Sequence, residues 1–431
     1  MGKSDKKAWV VAVNMGYGHQ RTAYPLKDLA FKDRIINAND YEGIPEKDTR
    51  VWESSRKFYE FISNFKEIPL IGDAAFFAFD RFQRIMTFYP RRDLSRPTYT
   101  LEKIFSFIKK GWGKDLILRL KDNPLPLITT FFTPAFMAET FEYPGDIFCV
   151  ICDADISRSW VPLNPKKSRI KYFAPNSWVA NRLELYGVKK ENIFLTGYPL
   201  PVENIGSEKM EIVKNDLRHR LLNLDPNGEY CKNYKPLVEK YLGGVPARSN
   251  HIFTILFSIG GAGAQKEIAV KFLKSLKKKV RAGKIRLILM AGTKKKIKNY
   301  FLEYINKIGL AAYLNRGIEI VFAEDFGAYF QLFNHKLRTA DILWTKPSEL
   351  SFYTGLGLPI IIAPPIGSQE EFNRRWLLRL GSGILQENPN YADEWLFDYL
   401  NSGRFAESAM EGFIETEKLG VYNIRKICLG Y

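Results

Sequence analysis

Residues 341–383 read DILWTKPSELSFYTGLGLPIIIAPPIGSQEEFNRRWLLRLGSG. The apolar residues form two short runs, 342–345 and 360–363, which predict two buried β-strands. One helix is predicted over 348–356, and a second follows the proline-rich loop. Because strands and helices alternate, the stretch predicts an α/β protein with a parallel sheet.

Polar side chains gather where these strands end and these helices begin. They are Lys346, Ser348, Glu349, Gln369, Glu370 and Asn373. In an open parallel sheet the carboxyl ends of the strands meet at one edge, where helix N-termini offer unpaired N–H groups. This edge is therefore the expected ligand site.

Three motifs of this stretch resemble a known family. They are Thr345-Lys346-Pro347, Gly357-Leu358-Pro359 and Gln369-Glu370-Glu371-Phe372-Asn373. They resemble the donor-binding half of GT-B glycosyltransferases, in the branch of monogalactosyldiacylglycerol synthase, processive diacylglycerol glucosyltransferases and the peptidoglycan N-acetylglucosaminyltransferase. The resemblance implies two Rossmann-like domains facing a central cleft, with a nucleotide sugar held by the C-terminal domain.

The resemblance also assigns roles to these residues. It implies that Gln369 and Glu370 contact sugar hydroxyls and that Asn373 belongs to the same nucleotide-sugar site. The family's Lys-Pro-Gly-Gly is Lys346-Pro347-Ser348-Glu349 here, and its mid-helix Glu has no clear counterpart. The ribose-binding role passes to Glu349.

A glycine-rich loop follows the apolar run 251–258 and leads into a predicted helix. It contains Gly260, Gly261, Gly263 and Gln265. Glycine allows close approach of the backbone, and a helix N-terminus stabilises a diphosphate. The loop is similar to the one that opens the donor domain in the GT-B branch. There the segment corresponding to the residues after Phe322 contacts the nucleotide base.

The N-terminal part of the chain carries a comparable turn. A predicted strand at 9–15 leads into Gly16, Gly18 and His19, and this arrangement suits an anion or a reactive group. The resemblance implies that His19 lies near the acceptor. The alternative is that His19 only caps its own helix.

Two acidic residues follow the predicted strand 147–152. Asp153 or Asp155 could act as a general base if it reaches an acceptor hydroxyl. The alternative is that each caps the following turn. The sequence leaves open whether His19 or Asp153 is the base.

The bulk properties limit the class of protein. A chain of 431 residues is expected to form two domains. The predicted boundaries are 1–205 for the acceptor domain, 206–250 for a linker with a helical insertion, 251–390 for the donor domain, and 391–431 for helices crossing back to the first domain. The four cysteines predict no disulfide framework, and Cys149 and Cys152 are expected in the core.

The formal charge of +17 requires an anionic partner. No apolar run approaches the ~20 residues of a membrane span, so a cytoplasmic protein, peripheral on the inner face of the membrane, is expected. The segment 53–90 is rich in aromatic residues and is either a core hairpin or a membrane-contacting surface. The residues concerned are Phe76, Phe77, Phe79, Phe82, Phe88, Arg81, Arg84, Arg91 and Arg92.

Together these features predict an inverting, metal-independent hexosyltransferase. It would move a hexose from a UDP-sugar to a lipid or lipid-linked acceptor, with no cofactor beyond that substrate and no nucleic-acid partner. One alternative is a UDP-sugar 2-epimerase-like enzyme, which would turn over without an acceptor. The other is a non-catalytic binding protein on the same fold.

Overall fold

A computed structural model describes residues 7–54, 85–258, 260, 263 and 265–430. The chain divides into two compact units. Unit 1 comprises Met1–Pro199, Pro365–Asn373 and Leu419–Tyr431, and unit 2 comprises Leu200–Pro364 and Arg374–Lys418. Most of the predicted aromatic segment, including Phe76, Phe77, Phe79, Phe82, Arg81 and Arg84, lies outside the described residues, as does Gly261.

Unit 1 contains a six-stranded parallel sheet in the order β2-β1-β3-β4-β5-β6. The strands are β1 (Ala8–Ala12), β2 (Ala30–Asn37), β3 (Leu127–Thr129), β4 (Ile147–Val150), β5 (Lys171–Ala174) and β6 (Ile193–Leu195). The central strands β3 and β4 are buried along their whole length, as expected for a parallel sheet covered on both faces.

The helices of unit 1 connect these strands. They are α1 (Tyr17–Ala23), α2 (Tyr99–Lys109), α3 (Lys114–Lys121), α4 (Phe132–Thr140), α5 (Ser177–Leu185) and, near the C-terminus, α17 (Gly420–Leu429). Helix α1 ends at Ala23 and a 3₁₀ helix follows at Tyr24–Leu29, because Pro25 cannot continue an α-helical ladder.

Unit 2 contains a second six-stranded parallel sheet, in the order β12-β11-β10-β7-β8-β9. Its strands are β7 (Thr254–Ser258), β8 (Arg286–Gly292), β9 (Ile318–Phe322), β10 (Ile342–Thr345), β11 (Ile360–Ile362) and β12 (Gly383–Leu385). Two six-stranded parallel sheets with connecting helices confirm the predicted α/β fold class with two Rossmann-like domains, the domain composition of GT-B proteins.

The helices of unit 2 begin before its sheet. They are α6 (Val202–Ile205), α7 (Glu211–Leu224), α8 (Glu229–Asn233), α9 (Lys235–Leu242), α10 (Lys266–Ser275), α11 (Lys277–Arg281), α12 (Lys295–Lys307), α13 (Phe326–Leu337), α15 (Ala392–Asn401) and α16 (Arg404–Glu415). Helix α14 (Ser368–Arg379) starts in residues of unit 1 and ends in residues of unit 2.

Each sheet has one place where the direction of strand addition reverses. In unit 1 the chain moves from β1 to β2 on one side and continues from β3 on the other. In unit 2 the strands β7, β8 and β9 run one way and β10, β11 and β12 the other. Ligands of open α/β sheets bind outside the carboxyl ends of the strands at such a switch point.

The stretch 341–383 forms the predicted elements with one difference. Strand β10 has the predicted bounds, but the first predicted helix is a 3₁₀ helix at Glu349–Leu356. All eight of its residues are buried, and five in succession (Ser351, Phe352, Tyr353, Thr354, Gly355) are poor α-helix formers. Packing therefore determines this segment more than helix propensity does.

The segment 206–250, predicted as a linker, belongs to unit 2. Helix α7 buries Val213, Leu217, Leu221 and Leu224. Arg220 is 2% exposed and donates hydrogen bonds to the carbonyl oxygens of Ala340 and Leu356, both at 2.7 Å. The segment is thus part of the structure of the second domain.

Three further predictions can be compared with the structure. Cys149 and Cys152 are buried, and burial raises the pKa of the Cys149 thiol, so both are core residues as predicted. Phe88 is 6% exposed and packs against the Trp178 ring with centroids 4.1 Å apart, so it is also a core residue. Among the described helices, none is long and apolar enough to cross a membrane.

We predict that Arg220→Met lowers the free energy of unfolding of unit 2 by at least about 3 kcal/mol, since bonds from a charged donor to buried carbonyls are each worth ~1.5–3 kcal/mol. Chemical denaturation followed by circular dichroism measures this change. Asn215→Ala, on the exposed side of the same helix, is the control and should change stability little. Equal stability of the two variants would show that α7 is a peripheral insertion.

Candidate functional site

The switch point of unit 2 brings the glycine loop and Lys346 together. Thr345, at the end of β10, donates its hydroxyl to the carbonyl oxygen of Ser258, at the end of β7, at 2.9 Å. Just beyond the ends of these strands, the Lys346 side chain lies against Gly260. A Cβ atom on Gly260 would be 2.5 Å from Lys346 Cε, so any other residue at this position would require the lysine side chain to move.

The rest of the loop is a tight turn into α10. The Gly263 N–H donates to the Gly260 carbonyl at 2.8 Å, and Gly263 has φ +80°, a conformation that favours glycine. Gln265 precedes the helix and donates its side-chain amide to the Pro364 carbonyl at 2.7 Å. The positive end of the α10 dipole therefore faces the same edge as Lys346.

Lysines of α12 add positive charge beside the loop. A Cβ atom on Gly263 would lie 2.9 Å from Ile297 Cδ1, so the start of α12 packs directly on the turn. Lys294, Lys295 and Lys296 are exposed there, and Lys298 Nζ lies 5.3 Å from the ring centroid of Phe322, the last residue of β9. The described part of this edge is suited to an anionic ligand next to an aromatic ring.

Ser348 and Glu349 start the 3₁₀ helix that follows Lys346. The Ser348 hydroxyl accepts the Leu350 N–H at 3.4 Å, so this residue caps the helix. Glu349 is 9% exposed. Its predicted contact with a ribose stays a prediction.

The predicted sugar-binding segment belongs to unit 1. Glu370 Oε2 accepts the Ile366 N–H at 2.7 Å, which closes the loop in front of α14, and Gln369 is partly exposed on the first turn. Asn373 is fully buried, and its side chain is hydrogen-bonded to the residues after β4. Its predicted place in the nucleotide-sugar site stays a prediction.

Asn373 holds the carboxyl end of β4. Its Oδ1 accepts the Ala154 N–H at 2.7 Å, and its Nδ2 donates to Asp153 Oδ1 at 3.1 Å. These two hydrogen bonds join residues that are separated by 219 and 220 positions in the sequence. No local sequence signal indicates such a contact, because it depends on the packing of α14.

His19 lies at the switch point of unit 1. Its Nδ1 is 2.8 Å from the Thr130 carbonyl oxygen, and Thr130 follows β3 directly. A carbonyl oxygen only accepts, so Nδ1 carries the hydrogen and the lone pair of the neutral ring is on Nε2. Cys152 Sγ is 3.5 Å from the same Nδ1, which brings the ring to the segment that follows β4.

The glycines before His19 shape the turn from β1 to α1. Gly16 has φ +103°, which strains any residue with a side chain, and an added Cβ would meet nothing within 4 Å. The Gly18 carbonyl accepts the Thr22 hydroxyl at 2.8 Å. The backbone conformation therefore accounts for a glycine at position 16. The predicted contact of Gly16 with acceptor or phosphate stays a prediction.

Asp155 is part of the framework of unit 1. It is 2% exposed and forms a bidentate ion pair with Arg182 at 2.8 and 2.7 Å. Trp178 Nε1 and the Ile156 N–H donate to its oxygens at 2.7 and 2.9 Å. Four donors occupy the carboxylate, so it has no lone pair left for an acceptor hydroxyl. Asp153 is the better candidate.

A cavity of about 340 Å³ opens at the opposite edge of the unit 2 sheet. His251, Arg286, Arg316 and Glu319 contribute to its lining, and Glu319 is paired with Arg286 at 2.5 Å. It lies at the amino ends of the strands, away from the glycine loop, and we do not include it in the candidate site. Within the described ranges, no group of three or more His, Cys, Asp or Glu residues could hold a metal ion.

Comparison with known families gives one match. Residues 246–315 match a family described as a domain of unknown function, DUF6938. No curated protein matches the chain.

Several solved structures are similar to this chain at low sequence identity. MnaA from S. aureus, solved with UDP, has a TM-score of 0.47 and 13% identity, and the match covers 99% of this chain and 97% of that one. MurG from Acinetobacter baumannii has a TM-score of 0.46 and 11% identity over 99% and 100%. A UDP-GlcNAc 2-epimerase from Neisseria meningitidis, bound to UDP-GlcNAc, has a TM-score of 0.41 and 12% identity over 81% and 84%.

We predict that the two aspartates respond differently to substitution by asparagine. Asp155→Asn should destabilise unit 1 by about 3–5 kcal/mol, because it leaves a buried arginine without its counter-charge. Asp153→Asn should leave the thermal unfolding midpoint nearly unchanged, since its carboxylate is only partly buried. Differential scanning calorimetry of both variants checks this, and a stable Asp155→Asn variant would contradict a framework role.

Proposed function

We propose that the protein is an inverting, metal-independent glycosyltransferase that moves a hexose from a nucleotide sugar to a hydroxyl of a lipid or lipid-linked acceptor. One observation carries the proposal. In each unit, a residue singled out from the sequence lies at the switch point of the sheet, Lys346 against Gly260 in unit 2 and His19 against the Thr130 carbonyl in unit 1. Sheets of this type bind ligands there.

Unit 2 would bind the nucleotide diphosphate. The Gly260 turn and the N-terminus of α10 offer backbone N–H groups, and Lys346 supplies a positive charge beside them. Lys294, Lys295 and Lys296 strengthen the field. These groups would offset the charge of the leaving diphosphate. The resemblance to the GT-B branch favours uridine as the base.

Unit 1 would activate the acceptor. The bond from His19 Nδ1–H to the Thr130 carbonyl leaves Nε2 as a proton acceptor. Asp153 accepts a hydrogen bond from Asn373 at 3.1 Å and directly follows Cys152, whose Sγ lies 3.5 Å from the ring. It would orient the acceptor hydroxyl or stabilise the imidazolium once His19 has taken the proton.

The reaction balances with these groups alone. The acceptor hydroxyl gives its proton to His19 Nε2, and its oxygen forms a bond to the anomeric carbon of the sugar. The bond from that carbon to the diphosphate oxygen breaks, and the electron pair leaves with the nucleoside diphosphate. Attack from the face opposite the leaving group inverts the anomeric configuration.

The acceptor class rests on the resemblance and on charge. The branch that the motifs resemble acts on lipids, and the formal charge of +17 suits an anionic surface. A peripheral protein on the inner face of the membrane would meet both conditions.

The decisive test is nucleotide release from UDP-hexoses, measured with and without a diacylglycerol or polyprenyl-linked acceptor. We expect release that depends on the acceptor and a roughly 10²–10⁴-fold lower rate in His19→Gln, the contribution typical of a general base. Sugar isomerisation without an acceptor would instead identify an epimerase. Nucleotide binding with no turnover on any acceptor would identify a binding protein.

A second prediction separates the diphosphate from the sugar. Lys346→Ala should weaken UDP binding about tenfold or more, since a charged hydrogen bond is worth ~1.5–3 kcal/mol. Gln369→Ala should leave UDP affinity unchanged and lower kcat/KM for the UDP-hexose, because its bonds go to sugar hydroxyls. Isothermal titration calorimetry with UDP measures the first effect. Equal loss of UDP affinity in both variants would show that Lys346 and Gln369 do not bind the diphosphate and the sugar, respectively.

A further inference from the structure

The positive charge of the chain is concentrated in one part of unit 2. Between Glu267 and Glu303 the sequence contains twelve Lys and Arg residues and no Asp or Glu. By contrast, residues 203–242 of the same unit contain seven basic and seven acidic residues. The excess charge is therefore a local feature of α10, α11, β8 and α12.

Five of these basic residues are exposed on α10, on α11 and in the turn after α11, and we call them the basic ridge. It consists of Lys271, Lys274, Lys278, Arg281 and Lys284, all of them exposed. The opposite face of the two helices is core, with Phe272, Leu273 and Leu276 fully buried. Packing thus holds the helices in one orientation and presents the charged side chains to solvent.

The lysines of the basic ridge are not neutralised by neighbouring acids. In the part of the chain that the structure describes, Lys271, Lys274 and Lys278 form no ion pair. Asp393, an acidic residue of α15, is hydrogen-bonded to Ser275 of α10. A surface of uncompensated charge attracts an anionic partner over about one Debye length, ~8 Å at physiological ionic strength.

We propose that the basic ridge docks unit 2 on an anionic lipid surface. Lysine predominates over arginine in it, four to one, and a hydrated ammonium suits diffuse surface charge better than bidentate phosphate recognition. The aromatic residue of α10, Phe272, is buried, so α10 itself offers no ring for stacking on the bases of a single-stranded nucleic acid. The choice of a lipid partner rests on the proposed lipid-linked acceptor.

The test is co-sedimentation of the full chain with vesicles of phosphatidylcholine mixed with phosphatidylglycerol, without any nucleotide sugar. Replacing Lys271, Lys274 and Lys278 together by Gln should lower the vesicle affinity roughly a hundredfold, because each lysine near an anionic surface contributes ~1 kcal/mol to binding. The matched control replaces Lys209, Lys232 and Lys240 by Gln. These lysines are exposed on the same unit, and the net charge changes equally.

We expect the wild type and the control variant to bind the vesicles and the ridge variant to lose this binding. Added salt should weaken the binding. Equal loss of vesicle binding in both variants would overturn the proposal, because it would show that binding depends only on the net charge. Unchanged binding of the ridge variant, or a wild type that binds RNA and ignores the vesicles, would also overturn it. Sugar transfer to a detergent-solubilised acceptor, measured in parallel, tests the proposed function separately from the docking surface.

Discussion

The reversal of strand order beside the first strand of each sheet is the constraint on which the candidate site depends. Connections on the two sides of that strand diverge, so the loops after neighbouring strands leave room at the carboxyl edge. In unit 2 this room is occupied by the Lys346 side chain against Gly260. In unit 1 it is occupied by the His19 ring against the Thr130 carbonyl.

Buried polar groups hold these edges in position. The Asp155–Arg182 pair, with Arg182 fully buried, ties the loop after β4 to α5. Arg220 joins α7 to the carbonyl of Ala340, before β10, and to that of Leu356, at the end of the 3₁₀ helix. Such groups are costly to desolvate and stable only when fully bonded. They leave Asp153, rather than Asp155, able to meet a substrate.

Local pattern was sufficient for most of the fold. The apolar runs predicted β10 with its observed bounds, and β1, β4, β7 and β11 to within a few residues. Segments governed by packing were less predictable. The 3₁₀ helix at Glu349–Leu356 contains poor helix formers, and the helices of 206–250 have polar sequences. Both are buried through contacts with residues distant in the sequence.

The sequence by itself determined the α/β class, the glycine turns and the concentration of lysines on α10 to α12, because these follow from local periodicity, backbone freedom and composition. Only the tertiary structure decided the partners of the polar side chains. Asn373 bonds to Asp153 and Ala154 across more than half of the chain, and the tautomer of His19 is set by a carbonyl on another strand. Such contacts join residues remote in sequence, and the strand order of the sheet brings them together.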